Sequence, residues 1–416
     1  MRSFLLEKSN RELKILSLST CYPNPREEAP GAFIRSRLQR MAAMAEIRVM
    51  APVPAFHYFR GLRSGVRDEP VPPFRTDAST TVYHPRWFYP PLGTAVNALF
   101  LFLQLLWPVA RLRREFPFQV IDAHFGHPEA TAAALLSIVF GCPFTVTLRG
   151  SEMYHGSKPF RRMAMSWALR RASRVITVSD RLRRFALDLG VDARRTVTIP
   201  NGVDTSRYHP RDRAACREKF GISADQRLMI SAGCLVELKG HHHAITAVKA
   251  LRDRGVSVEF IIPGEYGPYH DALRKQIATL GLEKQVRLLG YVPPSEVAEL
   301  MCAADLYCMA SLREGWPNVV HESLACGTPV VATDVGAVPA LIPSADYGLI
   351  VPPGDPLALA EAIDKALRTP WDRTAISVWG MSRSWEQVAA EVIQCFREIV
   401  TADRVRRSHT NAHEAV

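Results

Sequence analysis

The chain has few cysteines and no long apolar run. Eight of its 416 residues are cysteine, none belongs to a C-x-x-C pair, and Cys142 and Cys326 lie in apolar stretches. This pattern predicts buried free thiols in a reducing compartment and argues against a disulfide framework. Near the N-terminus an apolar stretch covers only residues 4–6 before charges return, which is too short for a signal peptide.

Two further patterns are absent. No G-x-G-x-x-G follows a predicted strand, which argues against a dehydrogenase. Aromatic and basic residues do not interleave along a predicted sheet or helix face, which argues against a nucleic-acid-binding protein. The consecutive residues His241, His242 and His243 resemble a metal tract, but neighbours at the start of a helix cannot all face one ion. We therefore expect neither a metal site nor a nucleic-acid partner.

The charge of the chain is unevenly distributed. It has 52 basic and 41 acidic residues, a net charge of +11. Residues 1–200 hold 29 basic and 15 acidic residues, a net +14, whereas residues 201–416 carry −3. A basic half predicts an anionic partner, and nucleic acid, acidic lipid headgroups and phosphorylated lipid carriers all have that chemistry. Eight arginines between residues 161 and 184 indicate a broad basic surface, with ordinary solvated charge as an equally good explanation.

One segment is membrane-like. The stretch from Ala95 to Leu112 is apolar but contains Asn97, Gln104 and Pro108. Its unbroken apolar runs are far shorter than a bilayer span requires. It predicts a helix that is buried or lies in the membrane interface, not one that spans.

Apolar strands alternate with amphipathic helices along most of the chain, which predicts an α/β protein. Units of strand, helix and strand at this spacing form parallel sheets with right-handed crossovers. Each half is therefore expected to be a doubly wound, Rossmann-like domain. The predicted strands are 14–19, 120–123, 144–148, 175–178 and 197–199, then 228–232, 258–262, 286–289, 306–309, 330–332 and 349–351. The predicted helices are 34–45, 95–115, 129–140, 161–172 and 181–189, then 243–254, 272–280, 295–303, 319–326 and 357–367.

The turn-rich segment 200–204 predicts a domain boundary. We expect an N-terminal, acceptor-side domain over residues 1–200 and a C-terminal, donor-binding domain over residues 201–384. A helix over residues 385–401 is expected to pack back towards the N-terminal domain, and the polar tail 402–416 is expected to be disordered. Doubly wound domains bind ligands at the carboxyl ends of their strands, so the natural site is a cleft where the two domains face each other.

The densest motif is SLREGWPNVVHESLACG, residues 311–327. A strand ends just before it, and a helix begins near Val319 with Asn318 as the predicted N-cap. Free backbone amides at this helix start, together with the helix dipole, form an anion site suited to a diphosphate. Glu314 in the loop and Glu322 in the helix can both face the cleft, although the two residues alone are better explained as unrelated glutamates.

The same two glutamates form an E-x7-E pair that resembles the signature of retaining glycosyltransferases of family 4. The segments CGTPVVATDVGAVPALI, GLIVPPGDPLALAEAI, IPNGVDTSRYHP, VITVSDRLRR and DAHFGHPEATAA look like this family and stand in its order. PNPREEAPGAF and TLRGSE are similar to bacterial exopolysaccharide and teichuronic-acid glycosyltransferases. The resemblance covers residues 14–400 and implies a GT-B fold, a nucleotide-sugar donor and retention at the anomeric carbon.

The resemblance also implies roles in the second half. Glu322 would bind the ribose hydroxyls of the donor, and Glu314 would contact the donor sugar and stabilise the charge that develops at its ring. In SAGCLVELKGHH, residues 231–242, Gly233 and Lys239 are kept, and Lys239 would neutralise the departing diphosphate. The loop and helix start would complete the donor pocket through Trp316, Pro317, Asn318 and Val319.

Cys234 stands where relatives often carry a second diphosphate-binding cation, and Arg149 is a candidate to compensate from the other half. His124 would touch the donor sugar by the resemblance, although a histidine at a strand end is on its own more often a structural hydrogen-bonding group. Gly31 would let the chain approach the donor diphosphate, and an ordinary loop glycine explains it equally well. The candidate catalytic residues are thus Glu314, His124 and Lys239.

These features predict a metal-independent hexosyltransferase, since no D-x-D motif is present. It would move a sugar from a UDP- or GDP-sugar to a lipid-linked oligosaccharide or polysaccharide in cell-surface polysaccharide biosynthesis. It needs no cofactor, because the nucleotide sugar is a substrate. The expected partners are this donor, the lipid-linked acceptor and an anionic membrane surface, on the cytoplasmic face of the membrane. A sugar-nucleotide epimerase of the same architecture, which needs no acceptor, is the alternative.

Overall fold

A computed structural model describes residues 13–28, 30–55, 70–88 and 96–414 of the chain. The protein is α/β and divides into two compact units. The first unit consists of residues 1–200 together with 385–416, and the second consists of residues 201–384. The division lies at the turn-rich segment 200–204.

The first unit contains an eight-stranded sheet with the order β10-β9-β8-β7-β1-β2-β5-β4. All neighbours are parallel except β4 and β5, which form an antiparallel pair. β3 and β6 pair separately in parallel. The strands are β1 (Lys14–Leu18), β2 (Glu46–Met50), β3 (Val53–Pro54), β4 (Phe74–Asp77), β5 (Thr80–Tyr83), β6 (Arg86–Trp87), β7 (Val120–His124), β8 (Phe144–Leu148), β9 (Arg174–Thr177) and β10 (Thr196–Thr198).

The five strands predicted for this half are present as β1, β7, β8, β9 and β10, whereas β2, β4 and β5 were not predicted. β2 is apolar at alternate positions, Ile47 and Val49, which are both buried. β4 and β5 lie at the sheet edge and are largely polar, so their sequences do not form an apolar run. They are joined at Ala78, which adopts a φ of 52° in the turn.

The helices of the first unit lie between these strands. The helix Asn97–Glu115 corresponds to the membrane-like segment, and its buried face includes Leu101, Leu105 and Val109. Ala95, where the segment was predicted to begin, lies outside the described residues. Within the described ranges, no helix is both long and apolar enough to cross a membrane. The other helices are Ala32–Met41, Glu129–Phe140, Glu152–Gly156, Pro159–Leu169 and Asp180–Asp188.

The last helix, Trp385–Glu414, belongs to the first unit. Its buried residues Val388, Val392 and Phe396 share an apolar cluster with Ile34 and Leu38 of the helix Ala32–Met41. The prediction of a disordered tail from residue 402 is wrong for the described residues, because the helix continues to residue 414. The polar extension is supported by ion pairs one helical turn apart, from Asp403 to Arg406 and Arg407 at 2.6 and 2.7 Å.

The second unit contains a six-stranded, fully parallel sheet with the order β13-β12-β11-β14-β15-β16. This is the order of a Rossmann fold, and apolar clusters cover both faces. All six predicted strands are present. They are β11 (Leu228–Ile230), β12 (Glu259–Pro263), β13 (Val286–Gly290), β14 (Leu306–Met309), β15 (Val330–Thr333) and β16 (Gly348–Val351). The helices are Arg213–Lys219, His241–Asp253, His270–Thr279, Pro294–Ala303, Asn318–Ala325, Val338–Leu341, Pro356–Arg368 and Arg373–Met381.

Each sheet has a point at which the strand order reverses. In the first unit the reversal lies between β1 and β7, and in the second it lies between β11 and β14. Loops that follow such strands at their carboxyl ends diverge and leave a crevice for ligands. The predicted class, two doubly wound parallel-sheet domains, is confirmed, and its topology assigns one candidate crevice to each unit.

Candidate functional site

In the second unit, the loop after β11 brings Gly233 and Lys239 to the reversal point. The Cδ and Cε atoms of Lys239 lie 3.9 Å from the position a Cβ on Gly233 would take. Gly240 has a φ of 65°, and a Cβ there would lie only 1.8 Å from the carbonyl oxygen of Ala310. The loop can therefore approach the end of β14 only because residue 240 is glycine. The helix that follows begins at His241, two residues earlier than predicted, and its N-terminus provides free amides for an anion.

The structure pairs two of the candidate catalytic residues. The Nζ atom of Lys239 lies 2.7 Å from Oε1 of Glu314, and the hydroxyl of Ser311 donates to the same oxygen at 2.8 Å. The side chain of Lys239 is 30% exposed and that of Glu314 is 13% exposed, so the pair is partly accessible. Gly336 packs against the loop, since a Cβ there would lie 2.6 Å from the carbonyl oxygen of Glu314.

The loop from Glu314 ends at the helix Asn318–Ala325, whose N-cap is Pro317. The prediction of Asn318 as N-cap is wrong, because the helix begins one residue earlier than predicted. The Asn318 side-chain oxygen instead accepts a hydrogen bond from Nδ2 of Asn201 at 3.0 Å. Trp316 packs edge-on to His321, with ring centres 5.8 Å apart. These contacts fix the backbone of the predicted donor pocket.

Glu322 and Val319 lie in the first two turns of this helix. Val319 packs on the apolar core beneath the sheet. Burial raises the pKa of Glu322 to about 7, opposed by the positive charge of Arg207 and a hydrogen bond with Tyr208. A carboxylate at neutral pH is a strong acceptor for hydroxyl groups, and its pKa falls when such donors bind it. With a pKa of about 7, Glu322 is partly protonated at neutral pH.

The first unit has its own reversal point, and Gly31 lies in the loop that follows β1. Its φ is 76°, and a Cβ would lie 1.8 Å from the carbonyl oxygen of Cys21. The protein's own backbone thus requires glycine at the start of the helix Ala32–Met41. A contact of Gly31 with the donor diphosphate stays a prediction.

His124 ends β7, as the sequence predicts, and its side chain is fully buried. Its Nδ1 lies 3.1 Å from a guanidinium nitrogen of Arg149, and its Nε2 lies 3.1 Å from a carboxylate oxygen of Asp122. Arginine can only donate, so Nδ1 accepts from Arg149 and the proton of the neutral ring is on Nε2, where Asp122 can accept it. The Arg37 guanidinium nitrogen, 3.2 Å from Nε2, then forms no hydrogen bond with the ring. Burial lowers the pKa of His124 to about 3, so the ring is neutral. Ser17 also lies 3.0 Å from Nε2.

Arg149 and Arg37 complete this buried network. Arg37 donates to Asp122 at 2.7 Å and to Thr147 at 2.9 Å, and its side chain is 2% exposed. Burial opposes the ionisation of Asp122, but the Arg37 guanidinium outweighs it and holds the pKa of this carboxyl well below its usual range. Arg149 lies over the ring of Phe33 at 5.0 Å. The geometry is that of a positioning network, and contact of His124 or Arg149 with a donor stays a prediction.

Sequence reasoning did not identify Asp122, Arg37 or Ser311. Two signals could have found the first two. Asp122 lies two residues before His124 on the same strand, so both side chains point to one face. Arg37 lies three residues after Ile34, on the buried stripe of its helix. Ser311 gave no signal of its own, since its role depends on the conformation of the loop.

The described residues hold no cluster of metal-binding side chains, and Cys234 supplies no charge to the candidate site. Within those residues, no group of three or more histidines, cysteines, aspartates or glutamates could hold a metal ion. Cys234 is exposed as a residue, but its sulfur is partly buried. This burial and the negative charge of Glu265 raise the pKa of the thiol. A neutral thiol at this position supplies no positive charge to a diphosphate.

Comparison with known proteins places these sites in a family. The profile described as "Glycosyltransferase Family 4" matches residues 60–207, and the one described as "Glycosyl transferases group 1" matches residues 212–378. A Bacillus subtilis protein named as a teichuronic acid biosynthesis glycosyltransferase is 31% identical over 372 residues, which cover 85% of this chain and 89% of that protein.

Solved structures share the fold. Sucrose-phosphate synthase from Thermosynechococcus elongatus matches with a TM-score of 0.76 at 20% identity, over 94% of this chain and 100% of that one. The Anabaena protein HepE, solved in complex with UDP-glucose, matches with a TM-score of 0.66 at 23% identity, over 94% and 99%. The two profiles and the Bacillus relative establish the family, so the chain belongs to the GT-B glycosyltransferases, with a family 4 domain followed by a group 1 domain.

Proposed function

We propose that this enzyme transfers a hexose-type sugar, with retention of anomeric configuration, from a UDP- or GDP-sugar to a lipid-linked glycan. The product would be a cell-surface polysaccharide precursor. The observation that carries the proposal is the arrangement at the reversal point of the second unit. There the Lys239–Glu314 pair, the starts of the helices at 241 and 318, and Glu322 belong to the loops and helices that follow β11 and β14.

Each part of this arrangement suits one part of a nucleotide sugar. The helix starts and Lys239 suit the diphosphate, because amides and an ammonium group both attract anions. Glu322 suits the vicinal hydroxyls of the ribose, because a carboxylate accepts two hydrogen bonds. The Anabaena protein was solved with UDP-glucose, which supports a nucleotide sugar as donor here.

The reaction uses charge that develops at the diphosphate. The bond between the anomeric carbon and the diphosphate oxygen breaks, and the acceptor oxygen attacks from the same face. The proton of the acceptor hydroxyl passes to the departing diphosphate. Lys239 acts mainly in the transition state, since negative charge on the leaving group grows as the bond breaks. Glu314 stabilises the positive charge that develops at the sugar ring.

The acceptor and the membrane surface are proposed from the first unit. Leu99, Leu103 and Trp107 lie one turn apart on the helix Asn97–Glu115 and are 47%, 54% and 72% exposed. An apolar stripe of this kind, followed by the exposed Arg111, is typical of a helix that lies in a membrane interface. The relative named for teichuronic acid biosynthesis supports a cell-envelope polysaccharide as product. We place the enzyme on the cytoplasmic face of the membrane, where such a carrier is accessible.

The test is a screen of UDP-, GDP- and ADP-sugars by thermal shift, followed by transfer with the stabilising donor. We expect one nucleotide class to raise the melting temperature and the Glu322→Ala variant to lose much of that shift. Transfer should require a polyprenyl-diphosphate glycan acceptor, and NMR of the product should show the anomeric configuration of the donor. Conversion of the donor sugar without any acceptor would instead identify an epimerase. No stabilisation by any nucleotide sugar would overturn the proposal.

A further inference from the structure

His241 has a ring nitrogen that the fold leaves without a partner. It is the first residue of the 13-residue helix His241–Asp253, and its side chain is 2% exposed. Nδ1 lies 3.4 Å from the hydroxyl of Ser231 at the end of β11. Nε2 is buried and makes no hydrogen bond of normal geometry in the part of the chain that the structure describes, although the backbone of Gly233 and Cys234 lies close enough to favour a proton on the ring. A buried polar atom of this kind destabilises the fold unless something else binds it.

The unpartnered nitrogen points to the place where a diphosphate is expected. Nε2 lies 4.0 Å from the position that a Cβ on Gly233 would take, and the Lys239 side chain lies 3.9 Å from that same position. The ring also lies at the N-terminus of its helix, where the amides and the dipole favour an anion. Three features therefore lie together beside Gly233. They are the Lys239 side chain, the N-terminus of the helix that begins at His241, and the imidazole nitrogen Nε2 of His241.

We propose that Nε2 of His241 donates a hydrogen bond to the diphosphate of the donor, and that this contact replaces part of the cation missing at Cys234. The inference rests on the proposed function and adds a binding residue to its donor site. An anionic oxygen at Nε2 selects the tautomer with the proton on that nitrogen. The hydroxyl of Ser231 then donates to Nδ1 and holds the ring in this orientation.

His241 is better placed for this role than the alternatives. Cys234 has an exposed thiol whose pKa is raised, so it stays neutral at neutral pH, and a neutral thiol cannot replace a cation. Arg149 is engaged with His124 in the other unit and lies over Phe33. His241 already lies beside Gly233, and Lys239, whose side chain lies against the same position, has to turn from Glu314 towards the diphosphate for the ligand to reach Nε2.

His243, on the same helix start, provides a matched control. It is partly exposed, and its ring contacts that of His242 at a tilt of 42°, with centres 4.0 Å apart. The structure places neither ring beside Gly233. A substitution at residue 243 therefore changes the histidine content of the helix start without removing the group that faces the diphosphate.

The experiment is isothermal titration calorimetry of the full chain with UDP and GDP, and with uridine and guanosine as probes that lack the diphosphate. We expect His241→Asn and His241→Gln to weaken binding of the preferred nucleoside diphosphate by about tenfold, the size of one lost hydrogen bond to a charged group. Binding of the nucleoside should change less than twofold, and His243→Asn should bind like the wild type. Equal loss for the nucleoside and the diphosphate, or equal loss in His243→Asn, would overturn the assignment.

A second measurement needs no variant and so does not depend on whether one folds. In protein labelled with ¹⁵N-histidine, saturation with the nucleoside diphosphate should produce a downfield, hydrogen-bonded imidazole N–H signal that the nucleoside does not produce. If the diphosphate binds and no such signal appears, His241 is not its ligand. If neither UDP nor GDP binds the wild-type protein, the proposed donor site itself is wrong, and the two failures are thereby distinguished.

Discussion

The ammonium nitrogen of Lys239 lies 2.7 Å from Oε1 of Glu314, so the two residues form an ion pair. They come from different loops, after β11 and after β14, which the sheet topology brings to one reversal point. A donor diphosphate has to compete with Glu314 for the lysine. The pair therefore opposes donor binding while it prepares both groups for the reaction.

This competition predicts that Glu314→Gln binds UDP or GDP more tightly and turns over more slowly. Loss of a partly exposed ion pair frees Lys239, which is worth up to about 1 kcal/mol, or roughly fivefold in affinity. Turnover should fall by about 100-fold, since the developing charge at the sugar ring loses its partner. Calorimetry and initial rates measure the two effects separately.

The control for Glu314 is Glu237→Gln, which alters an exposed glutamate in the lysine's own loop. This variant should change neither the affinity for UDP or GDP nor the turnover rate. In a Lys239→Met background the gain in affinity from Glu314→Gln should vanish. A gain that persists without the lysine would show that the competition is not the cause.

The pKa of Glu322 predicts pH-dependent binding of the nucleoside. Its pKa is about 7, and at the proposed site the ribose hydroxyls would bind the ionised form. Affinity for uridine or guanosine should therefore rise by about tenfold from pH 6 to pH 8 and level off above. The nucleoside is the better probe, because it has no phosphate that titrates in this window.

The raised pKa of Glu322 affects the stability of the fold in the opposite direction. A carboxyl group whose pKa is higher in the folded state binds more protons when folded than when unfolded. Its contribution to the free energy of unfolding therefore falls as the pH rises towards 7.

The control for the binding prediction is Glu322→Gln, which cannot ionise. Its affinity for the nucleoside should be the same across the range from pH 6 to pH 8. A wild-type profile as flat as that of the variant would remove Glu322 from the ribose site.

Glycine at residue 240 gives a prediction about how the Lys239 loop is held. Gly240 and Gly221 have nearly the same φ, 65° and 66°, but a Cβ on Gly221 would meet no atom of the described residues within 4 Å. Gly221→Ala should therefore show only the backbone strain, about 1–2 kcal/mol. Gly240→Ala adds a clash with the Ala310 carbonyl, so it should destabilise more and also weaken binding of the diphosphate. Urea unfolding and UDP or GDP titration of both variants measure this, and equal effects would contradict it.

Much of the fold could be predicted because it depends on the local pattern of apolar and turn-forming residues. Every strand of the second sheet is a short apolar run between turn residues, so all six were found. The β4–β5 pair could not be found in this way, since it lies at an edge where Phe74 and much of the strand face solvent. β4 pairs with β5 across a short turn, and β5 pairs in parallel with β2, which is distant in the sequence and joins the hairpin to the sheet.

The candidate site could be predicted only as separate residues. The resemblance identified Lys239 and Glu314, but their contact depends on two loop conformations 75 residues apart in the chain. Asn318 shows the same limit, because its partner Asn201 lies 117 residues away. Local sequence favours Asn318 as an N-cap, and a distant amide decides its actual role.

The buried pair of Arg37 and Asp122 predicts a large effect on stability. Both side chains are almost completely buried, and they lie 2.7 Å apart. Removal of one partner leaves an uncompensated charge, which costs about 3–5 kcal/mol. Arg37→Met should therefore shift the urea midpoint of the first unit strongly. Arg174→Gln, which breaks the exposed pair with Glu398, should cost less than about 1 kcal/mol. Similar midpoints for the two variants would contradict the prediction.

The exposed stripe of Leu99, Leu103 and Trp107 leads to a prediction about the proposed binding to a membrane surface. The first half of the chain carries a net +14, and basic residues near an anionic surface add about 1 kcal/mol each. Near Pro159–Leu169, the exposed Phe160 and Met163 stand beside Arg162, so apolar and basic groups occur together there too. Binding should therefore need both anionic lipid and the apolar stripe.

Vesicle co-sedimentation tests the two contributions separately. The wild type should bind vesicles with anionic lipid, bind neutral vesicles weakly, and be released as salt is raised, because salt screens exposed charges. Leu103→Ser combined with Trp107→Ser should reduce binding to anionic vesicles, because the apolar stripe no longer inserts. Val378→Ser, which changes an apolar residue that is 63% exposed in the second unit, should bind like the wild type. Binding that ignores lipid charge and salt would exclude the electrostatic contribution, and no binding at all would indicate a soluble acceptor.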